Sequence, residues 1–161
     1  MMTDTGSHRH LYLVRHGEAK SKDIDPERGL TDTGRADVTR MAQWAAAAGI
    51  QADEIRHSGK LRAQQTAEIF AEHLSIQAVP ASGLAPKSDV ADTHEAINSA
   101  QGNIILVGHL PFLGRLAALL IAGDAESVVV TMDAGALLEL TRSDDGWTAT
   151  CLIQPRLLPD N

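Results

Sequence analysis

The sequence is poor in cysteine and in long apolar segments. Cys151 is the single cysteine among 161 residues, so no intrachain disulfide can form, which is typical of a reducing compartment. No apolar stretch reaches the roughly 18–20 residues that cross a bilayer. The polar N-terminus also lacks the apolar run of a signal peptide. We therefore expect a cytoplasmic protein with no membrane partner.

Positive charge is also scarce. The 14 lysines and arginines are outnumbered by 21 acidic residues, which gives a formal net charge of -7. Proteins that bind nucleic acid broadly carry a basic surface, so we expect no nucleic-acid partner. An anionic ligand would need a local cluster of cations, because the field of the whole protein does not attract it. The histidines lack the spacing of a metal site, and we predict neither a metal nor a cofactor.

The remaining composition is that of one soluble domain. Apolar residues make up 43% of the chain and charged residues 22%, and 161 residues is an ordinary size for a single core. We place a flexible N-terminus at residues 1–9, the folded domain at residues 10–155 and a C-terminal tail at residues 156–161.

Strand-like and helix-like patterns alternate along this domain. Four short apolar runs predict strands at residues 10–14, 54–57, 77–79 and 103–107. Apolar residues at helical spacing separate these runs. Helix starts are predicted at Thr31, Ser88 and Pro111, and a helix end at Gly49.

The C-terminal part changes character. Residues 128–131, 136–141 and 147–152 are strand-like, and Asp144-Asp145-Gly146 is typical of a hairpin turn. Together the patterns predict an α/β fold. We expect a single-domain three-layer sandwich, with a mostly parallel sheet flanked by helices and an antiparallel C-terminal portion.

Polar residues follow the predicted strands where such sheets bind ligands, beyond the carboxyl ends of the strands. Arg15-His16-Gly17 comes directly after the first strand, and Gly108-His109 after the strand at residues 103–107. Arg62 lies near the start of the helix that follows residues 54–57. The topology therefore predicts that two arginines and two histidines converge in one crevice.

Such a cluster suits phosphoryl transfer. Guanidinium groups bind phosphate oxygens in a bidentate fork. A neutral imidazole is a competent nucleophile near pH 7, and nearby cations favour its neutral form. We predict that His16 accepts the phosphoryl group and that no metal is needed.

Four sequence blocks, in order, resemble the histidine phosphatase superfamily, also called phosphoglycerate-mutase-like. They are Leu13-Val14-Arg15-His16-Gly17-Glu18, Leu30-Thr31-Asp32-Thr33-Gly34-Arg35, Ser58-Gly59-Lys60-Leu61-Arg62-Ala63-Gln64-Gln65-Thr66-Ala67 and Val107-Gly108-His109. The short chain and Leu110-Pro111 are most similar to the SixA-type phosphohistidine phosphatases. The resemblance implies that His16 becomes phosphorylated while Arg15, Arg62 and His109 hold the phosphoryl group. It also implies that a backbone carbonyl holds the other nitrogen of His16.

Three positions depart from the family pattern. Lys22 replaces an asparagine of many relatives, and Gly59 stands where proline is usual. The family's general acid has no counterpart at the expected spacing in residues 84–89, as in SixA-type members. Asp89 is the nearest substitute, although a helix-start carboxylate is the alternative interpretation. A phosphohistidine leaving group needs less protonation than an alkoxide, so the absence favours phosphohistidine as substrate.

Gly17, Glu18 and Asp89 are accordingly our candidates for substrate binding, with a solvated loop carboxylate as the alternative for Glu18. The leading hypothesis is a phosphatase that acts on protein phosphohistidine through a phosphohistidine intermediate. The alternatives are a broad small-molecule phosphomonoesterase and a non-catalytic phosphate-binding module. The expected partner is therefore a phosphorylated protein or a small phosphorylated molecule, and the sequence does not indicate an oligomeric state.

Overall fold

The computed structural model describes residues 8–160, and within them a single sheet lies between two layers of helices. The strands are β1 (Arg9–Arg15), β2 (Glu54–His57), β3 (Ala78–Pro80), β4 (Ile104–Gly108), β5 (Leu137–Ser143) and β6 (Gly146–Ile153). The helices are α1 (Asp32–Ala47), α2 (Leu61–Leu74), α3 (Ala91–Ser99) and α4 (Phe112–Ala122), followed by a short 3-10 helix at Pro155–Leu157.

The sheet has the order β3-β2-β4-β1-β5-β6. Its first four strands are parallel, whereas β5 pairs antiparallel with β1 and β6 with β5. In the register of β1 and β4, Arg15 lies opposite Gly108. The predicted fold class is confirmed, and the two strands that precede the candidate histidines end side by side.

Successive side chains of β1 point to opposite faces of the sheet, and the core accordingly consists of two clusters, one on each face. Leu11 and Leu13 pack with α3 and α4, and Tyr12 and Val14 pack with α1 and α2. Both clusters are closed from solvent, since Leu11, Leu13 and Val14 have no exposed surface and Tyr12 has 4%. Burial on both sides explains why β1 and β4 are continuous apolar runs.

The first helix begins and ends where the sequence predicts. The Thr31 side chain accepts a hydrogen bond from the Gly34 N–H at 2.9 Å, which satisfies one of the free donors of the first turn. After the helix, Gly49 adopts a φ of 78°, a left-handed conformation that favours glycine.

Two local predictions were wrong. Residues 128–131 form no strand; Val128 is 92% exposed and has no neighbouring strand to pair with, so its β-branched side chain does not decide the conformation. Ser88 does not cap α3, because its hydroxyl accepts a hydrogen bond from the Ala85 N–H and the helix begins at Ala91.

The predicted N-terminal and C-terminal segments remain predictions. Residues 1–7 of the N-terminal segment lie outside the described residues, and Arg9 is the first residue of β1. Among the helices of residues 8–160, none is long and apolar enough to cross a membrane.

Candidate active site

The two predicted histidines meet at the carboxyl ends of β1 and β4. The His16 N–H donates to the Gly108 carbonyl at 3.0 Å, which extends the pairing of the two strands by one bond. The ring centroids of His16 and His109 lie 5.0 Å apart, with the rings tilted by 55°. The strand order therefore brings together two side chains that are 93 positions apart in the sequence.

The His16 ring is held in one tautomer by its own loop. Its Nδ1 lies 2.7 Å from the Gly17 carbonyl oxygen, and because a carbonyl only accepts, Nδ1 carries the proton. The lone pair is then on Nε2. The pKa of His16 is lowered to about 4, chiefly by burial and then by the charges of Arg62, Arg15 and Arg28, while the Gly17 hydrogen bond acts in the opposite direction. His16 is therefore neutral at pH 7.

The loop that carries His16 is tied to the first turns of α2. The Gly17 N–H donates to the Thr66 hydroxyl at 3.0 Å, and that hydroxyl donates to the Arg62 carbonyl at 2.8 Å. Thr66 is fully buried. This threonine lies within the third sequence block, but its contact with Gly17 spans 49 residues and has no local signal in the sequence.

Two glycines allow α1 to approach the same loop. A Cβ on Gly34 would lie 2.1 Å from the Glu18 carbonyl oxygen, and a Cβ on Gly17 would lie 2.7 Å from Cγ2 of Val38. Both distances are shorter than carbon contacts permit, so any larger residue would push the loop and the helix apart. The glycines of the first two sequence blocks therefore have a packing role.

Three arginines surround the histidines without a counter-ion. Among residues 8–160, no carboxylate forms an ion pair with Arg15, Arg28 or Arg62. Burial lowers the pKa of the Arg62 guanidinium, and the nearby charge of Arg28 lowers it further. In a chain with a net charge of -7, this uncompensated cluster meets the requirement that an anionic ligand would place on the site, namely a local group of cations.

Arg28 is the member of this cluster that the sequence reasoning missed. It adopts a φ of 54°, rare for a residue with a side chain, and its Nε donates to the Lys20 carbonyl at 3.0 Å. Its charge lowers the pKa of His16, Arg62 and His109. The sequence placed it in a polar loop, and only the folding of that loop brings it to the site.

Three buried N–H or ring-nitrogen groups at the site make no hydrogen bond within the described part of the chain. They are Arg15 Nε, Arg62 Nε and His109 Nδ1. Arg15 is partly anchored, since its Nη1 donates to the Met132 carbonyl at 2.8 Å. A buried unpaired polar group costs roughly 1–3 kcal/mol, so such groups are few, and Arg9 Nη2 at the opposite end of β1 is the fourth among residues 8–160. All three belong to residues that the sequence predicts to hold a phosphoryl group.

His109 is buried more deeply than His16. It is 1% exposed, and its Nε2 lies 2.6 Å from the Ser58 hydroxyl. Its pKa is lowered to about 3, chiefly by burial and then by His16, Arg62 and Lys60. His109 is therefore also neutral at pH 7.

The two predicted substrate-binding carboxylates lie on exposed loops. Glu18 accepts a hydrogen bond from the Thr31 hydroxyl at 2.8 Å, and Asp89 accepts one from the Ala91 N–H at 2.9 Å. Among residues 8–160, neither forms a hydrogen bond or ion pair with His16. Their substrate-binding roles, like that of Gly17, remain predictions.

Comparison with known proteins identifies related sequences and structures. Residues 11–85 match the model of the histidine phosphatase superfamily, branch 1. Phosphohistidine phosphatase SixA of Escherichia coli (strain K12) is 27% identical over 146 residues, covering 84% of this chain and 87% of that protein. An uncharacterized protein of Picosynechococcus is 34% identical over 123 residues, covering 70% and 73%.

The fold is similar to a solved structure as well. The structure of the protein histidine phosphatase SixA complexed with tungstate superimposes with a TM-score of 0.80 at 25% sequence identity. The superposition covers 91% of this chain and 97% of that one.

Proposed function

Because the chain belongs to the histidine phosphatase superfamily and is a phosphatase, we propose that it hydrolyses phosphohistidine on a protein through a phosphoryl group carried by His16. One observation supports this most strongly. The buried donors of Arg15, Arg62 and His109 lack partners beside a neutral imidazole whose Nε2 is unprotonated. A phosphoryl group on that nitrogen would give all three a hydrogen-bond acceptor.

The reaction takes two displacements at phosphorus. The His16 Nε2 lone pair attacks, the substrate N–P bond breaks, and the leaving imidazole takes a proton from solvent. Water then attacks the same phosphorus, the bond to Nε2 breaks, and phosphate leaves with His16 neutral again. In both steps Arg15, Arg62 and His109 stabilise charge on the phosphoryl oxygens.

The surroundings of the site support phosphohistidine rather than an alkyl phosphate. No carboxylate among residues 8–160 forms a hydrogen bond or ion pair with His16, Arg62 or His109. An alkoxide leaves poorly without a proton donor, whereas an imidazole needs little assistance. The E. coli relative carries the name of phosphohistidine phosphatase, and the solved SixA structure holds the oxyanion tungstate.

The substrate proposal is tested by comparing kcat/KM for a phosphohistidine-bearing protein with kcat/KM for small phosphate monoesters. We expect the phosphohistidine protein to be preferred by at least about tenfold, which corresponds to 1.4 kcal/mol in the transition state. Preference for a sugar phosphate would overturn the substrate assignment in favour of a small-molecule phosphomonoesterase. His16→Ala is the control that separates turnover by this site from spontaneous hydrolysis.

A further inference from the structure

Ser58 follows the last residue of β2, and its side chain contacts the His109 ring. Its hydroxyl is the one hydrogen-bond partner that the described residues give to the His109 ring, at 2.6 Å from Nε2. The contact joins positions 51 residues apart. A neutral imidazole carries its proton on one nitrogen only, so the direction of this hydrogen bond decides whether the other nitrogen donates or accepts.

The backbone around Ser58 favours one direction. The Lys60 N–H, which can only donate, lies 3.3 Å from the Ser58 hydroxyl oxygen. Among residues 8–160, His109 Nε2 is the acceptor within reach of the Ser58 O–H. If Nε2 were protonated, that O–H would have to donate to solvent, because Ser58 is only half-buried. The arrangement that pairs the hydroxyl proton within the protein is that Ser58 donates to Nε2 and the His109 proton sits on Nδ1.

The turn that holds Ser58 uses one of the departures from the family pattern. Gly59 adopts a φ of 87°, and its N–H donates to His57 Nδ1 at 3.1 Å. Proline has a φ of about -65° and no N–H, so it can reproduce neither feature. This chain therefore fixes its Ser58 turn with a glycine and a buried histidine, His57, which is 5% exposed.

We propose that Ser58 is a positioning residue that holds His109 as the Nδ1-protonated tautomer, so that Nδ1–H donates to the phosphoryl group at His16. The proposal rests on the function proposed above. It explains why His109 Nδ1 is buried without a partner in the described chain, since Nδ1 is the nitrogen that Ser58 leaves for the ligand. In the other tautomer, Nδ1 would present a lone pair to the anionic oxygens and repel them.

Nitrogen-15 NMR of the imidazole side chains tests the tautomer directly, because protonated and unprotonated ring nitrogens have well-separated shifts. In the wild-type protein we expect His109 Nδ1 to be protonated and Nε2 unprotonated at pH 7. Ser58→Ala should shift both resonances toward a mixture of tautomers, and Ser58→Thr, which keeps the hydroxyl, should restore the wild-type pattern. A His109 ring protonated on Nε2 in the wild type would overturn the proposal.

Tungstate affinity gives a readout that does not depend on turnover. Ser58→Ala should weaken tungstate binding about tenfold, the loss expected for one hydrogen bond to a charged ligand. Ser58→Thr should retain most of the affinity, and Ser99→Ala, at an exposed serine that ends α3, should leave it unchanged. Equal affinity in Ser58→Ala and wild type would contradict the role of Ser58. If His16→Ala retained full phosphatase activity, the proposed function would fail while the tautomer of His109 remained measurable.

Discussion

The two ends of the parallel strands both carry arginines, but they use them differently. At the amino end, Arg9 donates from Nε to Gly102 and from Nη1 to Ile97, and Arg142 donates to Asn98 at 3.2 Å. Both guanidinium groups lie over the Trp147 ring, at 5.5 and 5.9 Å from its centroid. These arginines are held by carbonyl oxygens and an aromatic face of the protein itself.

At the carboxyl end, the Nε groups of Arg15 and Arg62 are unpaired within the described chain, although Nη1 of Arg15 donates to the Met132 carbonyl. Arg15 and Arg62 each keep a buried Nε without a partner among residues 8–160, beside two neutral histidines. Nη2 of Arg9 is also unpaired among these residues, but Nε and Nη1 of the same guanidinium group both donate to carbonyl oxygens. The two ends therefore differ in how much of each guanidinium group the protein's own acceptors occupy, and not in whether arginine is present.

The largest effect should come from removing the nucleophile. We expect His16→Ala to lower kcat/KM by at least about 10⁴-fold, because no other group can form the covalent intermediate. The matched control is His10→Ala at the amino end of β1, where the ring contacts Thr141, Glu139 and Tyr12. Steady-state assays on a phosphohistidine protein measure both. A comparable loss of kcat/KM in His16→Ala and His10→Ala would contradict the assignment of catalysis to the carboxyl end of the parallel strands.

Arginine substitutions should give the next largest effect. Arg62→Ala removes a charge-assisted donor to the transferring phosphoryl group and should cost about 10²–10³-fold in kcat/KM. Arg142→Ala should leave kcat/KM near the wild-type value and lower the free energy of unfolding instead, since its contacts are with Asn98 and Trp147. Activity assays and chemical denaturation separate the two outcomes. Loss of activity without loss of stability in Arg142→Ala would contradict the comparison.

Two glycine substitutions compare packing at the site with packing away from it. Gly34→Ala should destabilise the fold by about 1–3 kcal/mol and reduce activity, because its Cβ would overlap the Glu18 carbonyl. A Cβ on Gly114 in α4 would lie 3.8 Å from Cδ2 of Leu110, an ordinary contact, so Gly114→Ala should be neutral or stabilising by up to about 1 kcal/mol. Denaturant unfolding measures both. Equal stability of the two variants would show that the loop containing Glu18 can move away from Gly34 at no cost in free energy.

The smallest effect concerns pH. Because burial lowers the pKa of His16 to about 4, the acid limb of kcat/KM should lie near pH 4 and not near the ordinary histidine value. The charge of Arg28 lowers this pKa, so Arg28→Gln should move the limb to higher pH. NMR titration of His16 checks the assignment of the limb. An unchanged His16 titration in Arg28→Gln would place Arg28 outside the site.

Much of the fold could be predicted because its signals are local. Continuous apolar runs at β1 and β4, the Thr31 cap and the hairpin turn each lie within a few residues. The parallel order of the central strands then follows from the alternation with helices, and it brings His16 and His109 together. The strand prediction for residues 128–131 was wrong because residues with high strand propensity form a strand only beside another strand, and the fold places none there.

The supporting residues of the site could not be predicted, because their roles depend on contacts distant in sequence. In the sequence, Thr66 is an ordinary residue of an amphipathic helix, and its role is evident only from the hydrogen bond that its hydroxyl accepts from the Gly17 N–H. Ser58 gains its role from His109, and Arg28 from the fold of its loop. The sequence identifies groups that carry chemistry by their type and their place at strand ends, whereas the groups that orient them are identified by hydrogen bonds.

The most direct test of the central claim is detection of the covalent intermediate on His16. The wild-type protein is mixed with a labelled phosphohistidine protein, quenched within milliseconds at alkaline pH and mapped by mass spectrometry. We expect an acid-labile phosphoryl group on His16 of the wild type, and none in His16→Ala. Rapid turnover by the wild type with no phosphoryl group ever detected on His16, or a phosphoryl group on another residue, would contradict it.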